Sequence, residues 1–497
     1  MGSGALLHSH RAVTPSSCFL TVVAAALAAA FVAGCGGSSG GSNQTGPTLS
    51  GYTAVTVLAA STANDQLSRY SLTLNSLTLS SQSGKTVMLL TAPQSAEFIH
   101  VNGSVEPLSF ASIPQDVYVS ATATVQPGGP TCIGQSSTGG LLIDSAIGFG
   151  PTKASDVTVN LPAPITITGT SMGLTLNLQV SKSVSAFSCV STSLDKASIT
   201  PNFTLTPVVV AAQPASAADG EMTGLRGLIS SVNSAGEVIN VAAGDGPDWP
   251  VAYNSSTVFQ GISGASQLAV GLPVDMDVAI QAHGPMLARR VAVYDTNPEQ
   301  LSAGSGPLLT VAASEPVLLA FARESQGAML PGLAGNALYF SFGNAVFQTS
   351  SQLTNLQSLP FNASFNAANM VGGQNVFVTT HATALAGGPT YIPAATVTLI
   401  PQTINGTVRT ISTQGNFTAY TVQLASYDLL PNLAVQAGQT TLLPNPNTVV
   451  VYADSNTQKL TTNPIAVGSV VRFYGLVFND NGTLRMDCAQ INDGVAL

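Results

Sequence analysis

The chain has 497 residues, 45% of them hydrophobic and only 7% charged, and a formal net charge of -9 at pH 7. A typical soluble protein carries about 25% charged residues, so here the polar surface falls mainly to Ser, Thr, Asn and Gln. This much apolar material excludes a disordered chain, the length asks for several cores, and the negative balance argues against nucleic acid as a partner.

The first element is apolar. Residues 18–33, CFLTVVAAALAAAFVA, contain no charge, and at ~16 residues they fall short of the ~20 of a membrane-spanning helix but match the core of a secretory signal. Only Arg11, the amino terminus, His8 and His10 can supply positive charge before them. The run ends in Val32-Ala33-Gly34-Cys35, which resembles the lipobox of bacterial lipoproteins. That resemblance implies cleavage before Cys35, a diacylglyceryl thioether on its sulfur and acylation of the new amine, anchoring the chain in a membrane. Several acyl chains hold stably, since each buried methylene contributes ~0.8 kcal/mol and one chain alone binds marginally. Residues 1–34 are expected as the signal peptide and 35–50 as a flexible tether, with no large apolar side chain after Cys35 until Leu49. Gly36 rather than an aspartate follows the cysteine, which by the same resemblance implies the outer membrane of a bacterial envelope. The alternative is an ordinary signal peptide with an incidental cysteine.

From residue 51 onward the apolar residues alternate. LTLNLQV (174–180) sets Leu174, Leu176, Leu178 and Val180 on one face and Thr175, Asn177 and Gln179 on the other, the period of a half-buried strand. DVYVSATATV (116–125), DVTVNL (156–161), DVAI (277–280) and VVRFYGLVF (470–478) read the same way. FNDNGTLRM (478–486) reads as a hairpin, with Asn481-Gly482 suited to a type I′ turn. No amphipathic helix longer than about three turns emerges. Residues 211–220 and 296–306, poor in core-forming side chains, read as linkers.

Beyond the first linker the sequence repeats. LRGLISSVNSAGEVINVAA (225–243) aligns with INGTVRTISTQGNFTAYTVQLA (404–425), residues 256–295 align with 447–493, and 370–400 carry the same ending. The expected fold is all-β, a β-sandwich over 51–210 followed by three β-barrel modules over 221–295, 307–401 and 402–497. Each module is expected to be closed or nearly closed, which removes exposed strand edges. The repeated G-x-V/I opening, Thr-Val-Phe middle and Val-Gly close resemble a family of small β-barrel domains of unknown function common in bacterial lipoproteins. FIHVNGSVEPLSFASIPQDVYVSATATV (98–125), ITITGTSMGLTLNLQVSKSV (165–184) and ITPNFTLTPVVV (199–210) resemble a second uncharacterised lipoprotein family, of β-sandwich type. Both resemblances speak to fold and hardly to activity. Gln115-Asp116 stand where a glycine is usual and Asn177 where an aspartate is common, which puts an ionic role at that site in doubt.

Of the five cysteines, Cys18 leaves with the leader and Cys35 takes lipid. Cys132 and Cys189 are the disulfide candidates in an oxidising compartment, a bond worth about 3–4 kcal/mol, and Cys488 reads as core. No metal-ligand spacing is present. Gly169-Thr170-Ser171-Met172-Gly173 matches G-x-S-x-G, but a strand rather than a helix follows, so it reads as a loop. His100, His283 and His381 read as turn residues without a carboxylate close in sequence. Asp275 and Asp277 share a strand face about 7 Å apart, as a cation or acid–base pair, or as edge charges. GDGPDWP (244–250) sets Asp245, Asp248 and Trp249 in one loop, a candidate ligand-binding surface with an exposed aromatic beside carboxylates. The alternative is a tryptophan packed on its own barrel. No catalytic residues, metal or cofactor are assigned. The expected function is a lipid-anchored, non-enzymatic structural, adhesive or ligand-binding scaffold, with a polysaccharide or an envelope protein as partner. The alternatives are a carbohydrate-active hydrolase with a site between modules, or a periplasmic assembly factor adding partner strands at an edge.

Overall fold

The computed structural model describes residues 49–63, 66–126, 128–135, 141–145, 154–185, 198–244, 246–299, 301–312, 317–321, 323–327, 335–353, 356–381, 391–425, 428–436 and 447–495. Cys35, Cys189 and Asp245 lie outside the described residues. Leu49–Leu497 forms one compact unit. The protein is all-β, about 56% strand and 6% helix, and the longest helix among the described residues is Leu429–Gln436.

The first sheets follow directly from the alternation. A four-stranded sheet runs Phe203–Val208, Ser171–Gln179, Tyr52–Thr62, Glu106–Pro114, with its two middle strands parallel. An eight-stranded sheet is built around Arg69–Ser81 and Asp116–Val125. Leu174, Leu176 and Leu178 of the first and Leu74, Leu77, Leu79 and Ala123 of the second pack in one core, so the period-two pattern is the burial pattern. Cys132 is buried in that core and disulfide-bonded.

Two six-stranded sheets follow the same plan. In one, Trp249–Ala252, Val238–Ala242, Glu221–Asn233, Pro273–Ala279 and Met286–Val293 are neighbours in that order, and the first pairs with the last, closing a ring. In the other, Thr448–Ala453, Phe417–Leu424, Gln402–Gln414, Val470–Asp480 and Thr483–Asp493 close in the same order and with the same parallel and antiparallel senses. The last hairpin turns at Asn481 and Gly482, both at positive φ (51° and 88°), as a type I′ turn demands. Between them lies an eight-stranded sheet on Ser302–Ala312. There the closing strand is divided into Ile392–Pro393 and Thr396–Leu399, which pair in parallel with Ala337–Ser341 and Val346–Thr349 respectively.

One expected linker is absent. Residues 296–306 do not form a spacer: Ser302 and Ala303 are fully buried and begin the strand Ser302–Ala312, so a boundary at residue 307 falls inside that strand. Ser302 pairs through its backbone with both Gly327 and Thr380, so the segment begins an inner strand rather than a spacer.

Candidate functional site

Asp275 and Asp277 sit on Pro273–Ala279, which pairs on both sides and is no edge. Val274, Met276 and Val278 fill the ring's core, so the alternating carboxylates face away from it, toward Ser350 and Ser351 of the next sheet. Cross-strand neighbours supply the counter-charges. Arg226 Nε reaches Asp275 Oδ2 at 3.1 Å, and Arg290 Nη2 reaches Asp275 Oδ1 at 2.5 Å. Arg290 Nε donates to Asp277 Oδ2 at 2.7 Å, and its Nη1 donates to Ser351 Oγ at 3.0 Å. Burial would raise the Asp275 pKa, but Arg226 and Arg290 outweigh it and hold the carboxyl below its ordinary value. Both carboxylates are therefore consumed in ion pairs, and the expected cation or acid–base couple does not form from them.

These four charged residues lie within one family match. Residues 226–292 form a domain of unknown function, DUF5666. Comparison with curated proteins finds no match. Arg226 opens the DUF5666 domain and Arg290 lies near its end, so the domain carries both halves of its own ion network.

Trp249 of the DUF5666 domain corrects an expectation. The indole is 1% exposed, packed in a core that also contains Leu58, Val105 and Val208 of the first sheets, and its Nε1 donates to Pro107 O at 3.1 Å. It joins two sheets and cannot serve as an exposed ligand platform. Asp248 is engaged locally, accepting from Ser230 Oγ at 2.6 Å. The loop looked surface-like because Pro250 reads as a breaker, yet Trp249–Ala252 is an edge-closing strand of the ring.

A second polar cluster was missed in the sequence. His100 lies between two carboxylates: Nδ1 is 3.1 Å from Glu97 Oε2 and Nε2 is 2.8 Å from Glu106 Oε2. The signal was local, with acids three residues before and six after. Glu97 is fully buried and also accepts from the amides of Tyr70, Ile99 and His100. Burial alone would push its pKa up; the hydrogen bond and charge of His100, then Arg323 and Arg69, overcome that and lower it to about 2. A depressed carboxylate contributes stability above its unfolded pKa and loses it as pH falls through the folded one. Glu97 is thus expected to contribute roughly 3 kcal/mol at neutral pH, lost between pH ~4.5 and ~2. Glu97→Gln should flatten that acid limb in urea unfolding measured from pH 6 to pH 2, and an unchanged limb would disprove the assignment.

The same hidden pairing holds for His381, whose Nε2 is 2.8 Å from Asp295 Oδ2. Tyr474 ties the centre together. It lines two small cavities of about 30 Å³ with His100 and Arg323, and a third of about 200 Å³ with Asp277, Asp454 and Asp487. First sheets, DUF5666 domain, middle sheet and last ring all contribute side chains there. Among the described residues no three His, Cys, Asp or Glu side chains converge as a metal cluster.

Proposed function

We propose that the protein is a lipid-anchored component of the bacterial envelope, held by acyl chains on Cys35, whose β-body is a rigid, non-enzymatic scaffold for a ligand or an envelope partner. In this reading the body is a sandwich followed by three copies of one barrel module. The recurrence of one strand order and one set of pairing senses in the two closed rings supports it. So does the divided closing strand of the middle sheet, where Ile392 and Thr396 take the pairings that Met286 and Arg290 take in the DUF5666 domain.

The observation that carries the scaffold reading is where the seam donors go. Arg323 Nε donates to Ser68 O at 2.6 Å, Arg472 Nη1 to Asn102 Oδ1 at 2.7 Å, and Gln374 Nε2 to Val477 O at 2.8 Å. Each joins one sheet system to another, in the manner of a welded body rather than beads on a string. His100 is held between Glu97 and Glu106, and Asp275 and Asp277 are held by Arg226 and Arg290, instead of standing ready for a substrate.

Two measurements test this. Cys35→Ser should lose palmitate incorporation and leave the membrane fraction; retention of both would overturn the anchor. The wild-type protein should leave a panel of chromogenic glycosides and envelope polysaccharides uncleaved. Turnover would favour a hydrolase with its site between modules.

A further inference from the structure

The first sheet meets the DUF5666 ring along one seam, and the two close together at only one end of it. Alternation sends Val55, Val57 and Ala59 into the core of the first sheets and Leu58 and Ala60 into the core of the ring, beside Trp249. Ala54 and Thr56 lie on the ring side too. There the surfaces part, and a cavity of about 380 Å³ opens between the sheet and the turn that joins Pro273–Ala279 to Met286–Val293.

Strand register builds the cavity. Ser171 and Ser112 flank Ala54, a cross-strand row of small side chains that makes a low floor. In the next row Gly173 and Phe110 flank Thr56. Gly173 lets the ring seat on the sheet, since a Cβ there would lie 3.1 Å from Ile280 Cδ1. Ile280 and Met286, both buried, then form the opposite wall.

Two observations say what this space suits. No charged side chain lines it, so an ionic group entering it would lose hydration without a counter-charge. Thr56 is only 8% exposed, yet its hydroxyl makes no hydrogen bond among the described residues, and native structures leave few buried polar groups unanswered. Size narrows the class further. An apolar cavity of about 150 Å³ takes benzene, so this one has room for roughly ten carbons.

We propose that this pocket binds an uncharged, largely hydrocarbon molecule of about ten carbons that carries one hydroxyl. The hydroxyl bonds to Thr56, and the hydrocarbon lies between Ala54 and Phe110 on one side and Ile280 and Met286 on the other. The pocket is independent of the scaffold reading, since an enzyme could carry it as well.

The test is calorimetry at pH 7 on the full chain carrying Cys35→Ser, so that no detergent competes, against hexanol, octanol, decanol, decanoate and decylammonium. The alcohols are expected to bind saturably and to tighten about fourfold per methylene. Pro250 lines the pocket beside the sole tryptophan, Trp249. N-phenyl-1-naphthylamine bound there should therefore take energy from the indole until decanol displaces it. Ala54→Phe fills the floor and should abolish both signals. Thr56→Val should weaken decanol about fivefold, the worth of one neutral hydrogen bond. Retained circular dichroism and a cooperative urea transition certify that each variant is folded. Failure of decanol to bind, equal binding to Ala54→Phe, unchanged affinity in Thr56→Val, or tighter binding of decanoate or decylammonium than of decanol would each overturn the proposal.

Discussion

Replacing Arg290 with methionine is expected to destabilise the protein by about 3–5 kcal/mol at pH 7, the usual cost of removing one member of a buried ion network. The guanidinium touches Asp275, Asp277 and Ser351, and Asp275 has no exposure to water. Without Arg290, Asp275 keeps one cation, Arg226, and the Ser350 hydroxyl at 3.4 Å, while Asp277 keeps the Gly224 amide at 3.0 Å. The sign of the pH dependence follows from the depressed pKa of Asp275. Its stabilising contribution is present above the unfolded value of about 3.9 and fades as pH falls. In Arg290→Met the carboxyl can escape by protonating, so the gap between variant and wild type should narrow toward pH 4. Urea midpoints at pH 7 and pH 4 measure both quantities. A cost below ~1 kcal/mol at pH 7 would mean that the network does not hold the seam. Replacing Asp275, Asp277, Arg290 and Arg226 together by apolar residues of similar volume should cost far less than Arg290→Met alone, because no member of the network is then left as a stranded charge.

The partners that make this network were invisible along the chain for a simple reason. Arg226 lies 49 residues from Asp275, and Arg290 lies 13 from Asp277; only strand pairing makes them neighbours. Alternation, by contrast, is local, and it was legible wherever one face of a strand meets a core: Leu174, Leu176 and Leu178 are all buried. The Asn481-Gly482 hairpin was legible because the turn imposes its own φ angles. Residues 296–306 misled because side-chain size speaks to packing only when the neighbours are known, and Ser302 and Ala303 lie where strands crowd. The Glu97–His100 pair was the one part of the candidate site written locally. Its spacing could have been read, since a tight turn after Gln94–Glu97 brings the His100 amide back to the Glu97 carboxylate.

Trp249→Ala is expected to cost about 3–5 kcal/mol, as large-to-alanine changes in cores do, and to act at a distance. The indole is packed among residues of the first sheets as well as its own ring, so its loss opens a cavity in the seam and leaves Pro107 O without its donor. Trp249→Phe keeps most of the packing but not the hydrogen bond, and should cost about 1–3 kcal/mol, the penalty of one buried unsatisfied group. Because this is the sole tryptophan, its fluorescence reports the seam directly. In the native wild type the emission should be blue-shifted and resistant to acrylamide, whereas an exposed ligand platform would be red-shifted and readily quenched. If the seam binds the first sheets to the DUF5666 domain in one cooperative unit, the fluorescence and circular dichroism transitions in urea should coincide. Trp249→Ala should then split the circular dichroism transition in two, the ring melting ahead of the first sheets. A single transition shifted as a whole would mean that the packing of Leu58, Val105 and Val208 on the ring's core suffices to couple the two without the indole.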